Sequence, residues 1–324
     1  MADASVSVTL VTFDSAADLP RCLDALAAQT DPAAEVVVVD NASSDDSAGI
    51  AARHPVVARV LRNGQNRGFA AAQNRAIGAT RGRWVLVLNP DVTLAPGFLA
   101  ALARYTRRSA PLGTLCGKLL RAAPDGAPRR PPTLDSAGIM VERSFRHLDR
   151  GSERPDVGQY DRCEAVFGAS GAAACYRREM IEDVSVEGEF FDESFFAYRE
   201  DADVAWRAQL LGWDCLYVPT ALGYHVRRVL PGNRRRVAAM LNRHSVKNRF
   251  LMRIKNVDRA VWLRCGLTGL ARDAVVVGGC LVAEWSSLPA FADVARLWPR
   301  ARRQRRLIQS RRRRAPAAVA RWFR

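Results

Sequence analysis

Trp84-Val85-Leu86-Val87-Leu88-Asn89-Pro90-Asp91 is five apolar residues in succession, cut off by an amide, a proline and a carboxylate. A short unbroken apolar run bounded by turn residues reads as a strand buried on both faces. Two similar runs precede it. Ser5–Phe13 (SVSVTLVTF) ends at Asp14-Ser15, and Glu35–Asp40 (EVVVVD) ends at Asn41-Ala42-Ser43-Ser44-Asp45. Helical spacing over 18–28, a short helix over 46–53, a strand over 56–61 and an alanine-rich helix over 68–80 fill the intervals. Strands alternating with helices, and apolar throughout, predict a parallel sheet covered on both faces. Such sheets bind ligands beyond the carboxyl ends of their strands. Phe13-Asp14, Asp40-Asn41 and Asn89-Pro90-Asp91 all fall there.

Further along, the spacing predicts a helix over 98–108, a Pro/Gly/Arg-rich surface loop over 122–132 and a small-residue segment over 165–176. A helix over 177–184 and another over 198–211 follow, the latter with Glu200, Asp201 and Asp203 in its first turn. A strand over 215–218 and an extension over 221–225, ending in His225, complete this part.

The chain has 324 residues, 48% hydrophobic and 25% charged, which is ordinary for a globular protein and excludes collagen-like or low-complexity architectures. Its net charge of +16 is unevenly placed: −5 up to His225 and +21 beyond it. Any polyanion would therefore meet the last hundred residues. Seven scattered cysteines without a CxxC pair read as buried free thiols, and the first residues lack a signal-type pattern. Both features fit a cytoplasmic protein.

A strand-end carboxylate has an ordinary task, capping its own turn, and Asp40 with Asn41 suits that as well as it suits a ligand. Asn89-Pro90-Asp91 is more pointed, because proline stiffens the bend and holds Asp91 clear of the strand. A carboxylate facing a cleft suits a hard cation that bridges a diphosphate. Acidic residues opening a helix favour its dipole and need no catalytic role. Here, however, Phe190, Phe191, Phe195, Phe196, Tyr198 and Trp206 surround them, and an apolar setting raises a carboxylate toward general-base strength. His225 is either a structural histidine or a partner of Asp91 at a metal.

The ordered set Val6–Phe13, Val36–Ser43, Asn66–Phe69, Leu88–Asp91, Ser170–Ala173, Phe191–Glu193, Glu200–Asp203, Gly212-Trp213 and His225 resembles family 2 of the inverting glycosyltransferases, nearest its rhamnosyltransferase-like branch. The likeness covers about residues 5–255. It implies an α/β GT-A fold over 1–255, with a nucleotide-sugar-binding half at 1–110 and an acceptor-binding, catalytic half at 111–255, leaving 256–324 as an amphipathic, Arg-rich extension. It also implies that Thr12, Phe13, Asp40, Asn41, Asn66, Arg67, Gly68 and Asn89 lie at the nucleotide-sugar. Asp91 and His225 would hold Mg²⁺ or Mn²⁺, and Asp201 would be the base, with Glu200 beside it toward the acceptor. Asn89 stands where the family's DxD motif has its first aspartate, one charge fewer at the metal. The expected reaction is inverting transfer of a sugar, L-rhamnose from a deoxythymidine-diphosphate donor first, to a glycan or lipid-linked hydroxyl.

Over 249–284 arginines alternate with Trp, Leu and Val, while the longest uncharged run, 274–283, is ten residues. That run is short of the roughly 20 residues a spanning helix needs. The favoured expectation for 256–324 is docking on an anionic membrane surface, with Arg300–Arg314 supplying charge and Trp322-Phe323 inserting at the inner face of the plasma membrane. A solvated tail is the plain alternative, and nucleic acid is disfavoured for want of a stacking or zinc module. A sugar-nucleotide nucleotidyltransferase would need a Gly-rich loop where Thr12–Ala17 has none. A non-catalytic carbohydrate- or nucleic-acid-binding protein is the other alternative, and retention of Asp91, Asp201 and His225 argues against it.

Overall fold

A computed structural model describes residues 5–108, 111–227 and 239–324, with side chains of 239–241 excepted. The expected boundary between halves, at 110, borders residues outside that description. The strands β1 (Val6–Thr12), β2 (Glu35–Asp40), β3 (Arg59–Arg62) and β4 (Trp84–Leu88) alternate with α1 (Leu19–Ala27), α2 (Ser47–Arg53) and α3 (Gly68–Gly78). All four strands are parallel, in the order β3-β2-β1-β4. Every residue of β1 and β4 is buried, as uninterrupted apolar runs require when helices cover both faces.

Beyond β4 the sheet continues with mixed direction. β5 (Val92–Leu94) and α4 (Phe98–Thr106) lead to β6 (Leu112–Arg121), a fully buried strand that the sequence reading did not assign. Then come β7 (Leu134–Ser136), β8 (Ile139–Val141), β9 (His147–Asp149), β10 (Glu164–Val166), β11 (Ala173–Arg177) and α5 (Arg178–Val184). A 3₁₀ turn at Glu193–Phe195 precedes α6 (Glu200–Leu210), and β12 (Asp214–His225) follows. The sheet runs β10-β12-β6-β11-β4-β1-β2-β3, with β11 antiparallel to β4 and β6. The two expected pieces at 215–218 and 221–225 are one strand, interrupted by an irregularity between Val218 and Leu222 where Pro219 removes a donor.

Helices α7 (Ala239–Asn256), α8 (Arg259–Val282), α9 (Pro289–Ser310) and α10 (Pro316–Ala320) close the chain. They overturn one expectation. Phe323 is fully buried, among Phe145, Phe167 and Trp206, while Trp322 donates its indole N–H to Gln209 Oε1 at 3.0 Å. An aromatic placed in the core cannot insert at a membrane interface. The helix α8 spans 24 residues with a mean hydropathy of 1.5 in its most apolar window, so by length and composition alone it could cross a membrane. Arg272 and Asp273 interrupt the uncharged run without interrupting the helix.

Much of the arginine-rich stretch is tied to the body. Arg300 pairs with Glu189 at 2.6 Å, Arg303 with Glu187, Arg311 and Arg313 with Asp183, and Arg314 with Asp214 at 2.5 Å. Ala301, Ile308, Val319 and Ala320 join the same core as Tyr176 and Trp206.

Candidate active site at the carboxyl edge of the sheet

Parallel strands bring their carboxyl ends to one edge, and the register defines who meets there. Thr12 lies opposite Asp40, and Leu10 opposite Leu88. Asn89 therefore leaves the sheet within one or two residues of the level of Thr12 and Asp40. The Thr12 hydroxyl donates to Asp40 Oδ1 at 3.1 Å, and the exposed Phe13 ring extends beyond them.

The next loop is locked by amides. Asn41 is 2% exposed; its Nδ2 donates to Asn66 Oδ1 at 2.9 Å, and its Oδ1 accepts from Asn63 Nδ2 at 2.8 Å and the Arg67 N–H at 3.1 Å. Asn66 Oδ1 also accepts the Gly68 N–H at 2.9 Å. Asn41, Asn66 and Gly68 thus spend their polar groups on the loop itself. Gly68 has φ +81°, and a Cβ there would come within 2.6 Å of the Phe196 carbonyl, so glycine alone permits the approach. Arg67 remains half exposed, 3.8 Å from Glu193.

Asn89-Pro90-Asp91-Val92 is a tight turn closed by the Val92 N–H donating to Asn89 O at 3.2 Å, with proline where its fixed φ suits the bend. The Cys22 thiol donates to the same carbonyl at 3.7 Å. Asp91 faces His225, whose Nε2 lies 3.3 Å from Asp91 Oδ1, while His225 Nδ1 meets Asp135 Oδ2 at 2.7 Å. Burial alone would lower the His225 pKa, but Asp135 and Asp91 raise it to about 10. Burial pushes Asp135 up, yet His225, Arg227 and Arg121 hold it at about 2. Arg121 Nε approaches Asp135 at 2.9 Å; Arg227 reaches Asp135 at 3.1 Å and Asp149 at 2.5 Å.

The opposite wall is the start of α6. Of its three acidic residues, Glu200 and Asp203 lie about 60° apart around the helix and Asp201 about 100° and 160° from them, and each has different surroundings. Asp203 is fully buried, bound by Arg207 and Lys255 at 2.9 Å each and by Asn256 at 2.8 Å. Glu200 is 8% exposed with Oε2 unpartnered among the described residues, and burial, then Asp201 and Asp203, raise it to about 8. Its side chain is buried beside Asp201. Asp201 is half-buried, and its Oδ2 accepts the Gly171 N–H at 3.0 Å. Burial is the largest influence on Asp201 and raises it; the Gly171 N–H and Arg227 oppose, Asp149 adds, and the balance lies above the ordinary aspartate value.

Adjacent residues join the two walls. Gly171 donates to Asp201, and the Asn89 N–H donates to the Ala172 carbonyl at 2.9 Å. Asp40, Asn89, Asp91, Asp201 and His225 thus share one edge. Sequence reasoning missed Asp135, Arg121, Arg227 and Asp149. Arg227 lies just past the end of β12 with φ 44°, so strand alternation could not have pointed to it, and the other three carried no local signal.

Among the described residues no three His, Cys, Asp or Glu side chains converge to hold a metal. Asp91 and His225 form a two-point donor set, and the Asp135 contact at Nδ1 is the partner that leaves Nε2 free as a ligand when the imidazole is neutral. A hard cation completed by diphosphate and water oxygens fits such a set.

An α/β sheet of this topology with a carboxylate-lined carboxyl edge is that of a GT-A glycosyltransferase. The family model described as glycosyl transferase family 2 matches residues 7–185, and the chain belongs to that family. It is 32% identical over 235 residues to the N-acetylglucosaminyl-diphospho-decaprenol L-rhamnosyltransferase of Mycobacterium tuberculosis, covering 67% of this chain and 75% of that one. Among solved structures, the mannosyltransferase of Pyrobaculum calidifontis in complex with GDP-Man and Mn²⁺ aligns with TM-score 0.55 at 20% identity, over 98% of this chain and 87% of that one. S. aureus TarS 1-349 in complex with UDP-GlcNAc aligns with TM-score 0.57 at 18% identity, over 98% and 89%. The protein is a glycosyltransferase of the rhamnosyltransferase-like kind.

Proposed function

We propose that the enzyme transfers a single sugar, L-rhamnose from a deoxythymidine-diphosphate donor first among candidates, to a hydroxyl of a lipid-linked acceptor, inverting the anomeric centre. The Mycobacterium tuberculosis relative, whose name carries both an L-rhamnosyl group and a decaprenol diphosphate, supports this choice of donor and acceptor. The two solved neighbours, with GDP-Man and Mn²⁺ in one and UDP-GlcNAc in the other, support a nucleotide-sugar and a divalent ion. A lipid-linked acceptor would place the work at the inner face of the plasma membrane.

The carrying observation is the bridge at Gly171-Ala172, which sets Asp201 across from Asn89–Asp91 on one edge. In this reading Phe13 and Asp40 flank the nucleobase, and the loop at Asn66–Gly68 lines the donor. Asp91 and His225 would hold Mg²⁺ or Mn²⁺, which supplies charge neutralisation at the departing diphosphate. Asp201 accepts the proton of the acceptor hydroxyl as that oxygen attacks the anomeric carbon. The carbon–oxygen bond to the diphosphate breaks as the new one forms, and its electron pair leaves with the nucleoside diphosphate. An aspartate raised by burial while still held by a backbone N–H suits that proton transfer. Glu200, raised to about 8 by burial and then by Asp201 and Asp203, holds its proton more tightly than an ordinary glutamate.

The test is a panel of nucleotide-sugars and divalent ions with a prenyl-diphosphate-linked N-acetylglucosamine acceptor, scoring nucleoside diphosphate release and the configuration of the product. Inverted product from the deoxythymidine-diphosphate donor is expected. Pyrophosphate release from a nucleoside triphosphate, or a retained anomeric configuration, refutes the assignment.

A further inference from the structure

Among the described residues, ten of the twelve large hydrophobic side chains that stand exposed fall between Trp262 and Leu307. Scattered apolar residues are normal on a surface, but concentration in one region marks an interaction face. Seven of the ten are on α8, where Leu263, Leu267, Leu270 and Leu281 recur at helical spacing on one side. Val261, Cys265 and Gly269 lie on the opposite side and are buried, Gly269 so closely that a Cβ would come within 2.4 Å of the Phe145 ring.

Next to the exposed face, the start of α8 and the middle of α9 enclose two adjoining clefts of about 540 and 400 Å³. Arg259, Arg302, Arg305 and Arg306 line them, with Trp262 and Trp298 at the side. Arg305 donates to the carbonyls of Ile254 and Val257. The single lining carboxylate, Asp258, is engaged by Arg312 at 2.8 Å and by the Val261 N–H at 2.9 Å. Arg259, Arg302 and Arg306 are exposed and have no carboxylate within ion-pair distance among the described residues. This separates them from Arg303, Arg311, Arg313 and Arg314, which the body of the protein already neutralises.

We propose that the outer face of α8 together with this arginine cleft is the docking surface for an anionic phospholipid bilayer, α8 lying in the plane of the interface. Leu side chains enter the acyl boundary, the exposed tryptophans sit at headgroup depth, and the unpaired arginines meet lipid phosphates. The helix lies on the membrane and does not cross it. Asp273, at its middle, is bound by Arg249 at 3.0 Å and by Arg253, and Val261, Cys265 and Gly269 are packed on the core. The surface would serve the lipid-linked acceptor of the proposed reaction, yet it is tested without donor or acceptor. A failure of docking and a failure of the reaction are therefore read separately.

The experiment is flotation of the full chain with phosphatidylcholine vesicles, with and without phosphatidylglycerol. Binding is expected only to the anionic vesicles. Leu263→Glu with Leu267→Glu, and separately Arg302→Glu with Arg306→Glu, should each weaken it about tenfold or more. Arg104→Glu with Arg107→Glu on α4 makes the same charge change as the second pair and should stay within about twofold of wild type. Melting curves confirm that each variant is folded. Alkaline carbonate should release the bound protein. Undiminished flotation of both test pairs overturns the proposal, as does equal damage from the α4 pair. Retention in carbonate overturns it in favour of a spanning helix, and RNA binding without vesicle binding overturns it in favour of a nucleic-acid surface.

Discussion

The two walls of the active-site edge are built differently. On the donor side, the loops after β1, β2 and β4 are held largely by neighbours: Thr12 with Asp40, Asn41 with Asn63 and Asn66, Val92 with Asn89. On the acceptor side, the start of α6 is held by chain that comes some fifty residues later. Phe196, Tyr198 and Arg199 have φ of 65°, 71° and 73°, conformations that bulky side chains adopt at a cost. Asn248 of α7 secures that strained turn, its Nδ2 donating to the carbonyls of Phe195, Ala197 and Tyr198 at 2.8–2.9 Å. Lys255 lies between Asp192 at 2.6 Å and Asp203 at 2.9 Å. The donor loops are tied mainly to one another within the first half of the chain, whereas the base is positioned by elements that arrive later in the sequence and can be lost from a distance.

The largest effect expected from breaking this contrast is at the base. Asp201→Asn should lower kcat about 10³-fold, with donor affinity, read by calorimetry, nearly unchanged because the donor wall does not depend on α6. Activity close to wild type would remove Asp201 from the role.

Lys255→Met should come next. It removes the cation shared by the buried carboxylates of Asp192 and Asp203, leaving Arg207 on Asp203 and Arg300 3.5 Å from Asp192, and breaking such a buried pair costs up to about 3–5 kcal/mol, measurable by urea unfolding. Asn41→Ala, on the donor side, strips hydrogen bonds from a local loop and should cost about 1–3 kcal/mol. It should raise the donor KM more than it lowers kcat, and Asn248→Ala should do the reverse. Equal KM and kcat effects from the two amides would erase the distinction between the walls.

A further effect concerns pH. Glu200 binds its proton more tightly when folded, at about 8 against an ordinary 4.5. The native state therefore holds the extra proton between those values, and stability falls as pH rises through that window. Its contribution is complete below about 4.5 and gone above about 8. Glu200→Gln should flatten the dependence of Tm on pH between these limits. An unchanged slope would mean that another group carries it.

The carboxyl-terminal region shows how composition misleads when read alone. Arg311–Arg314 and Trp322-Phe323 have the composition of a membrane-seeking tail, yet Arg311 and Arg313 face Asp183, Arg314 faces Asp214, and Phe323 fills the core beside Trp206. Ion pairing and burial depend on where the partner elements arrive, and no spacing within 300–324 encodes that.

What the chain's order of residues determined by itself is the parallel half and the carboxylates at its edge. Unbroken apolar runs, helical periodicity and turn residues act over a few positions, so β1, β2 and β4 with Asp40, Asn89 and Asp91 at their ends are legible without coordinates. Tertiary structure alone decided that Asp201 is held by the Gly171 N–H while Glu200 is buried with an unpartnered oxygen among the described residues and Asp203 is bound to Lys255. It alone decided that Asp135 and Arg227 stand behind His225, and which arginines remain unpaired. Those outcomes rest on contacts between residues tens to more than a hundred positions apart, formed only when β11, α6, α7 and α9 pack together.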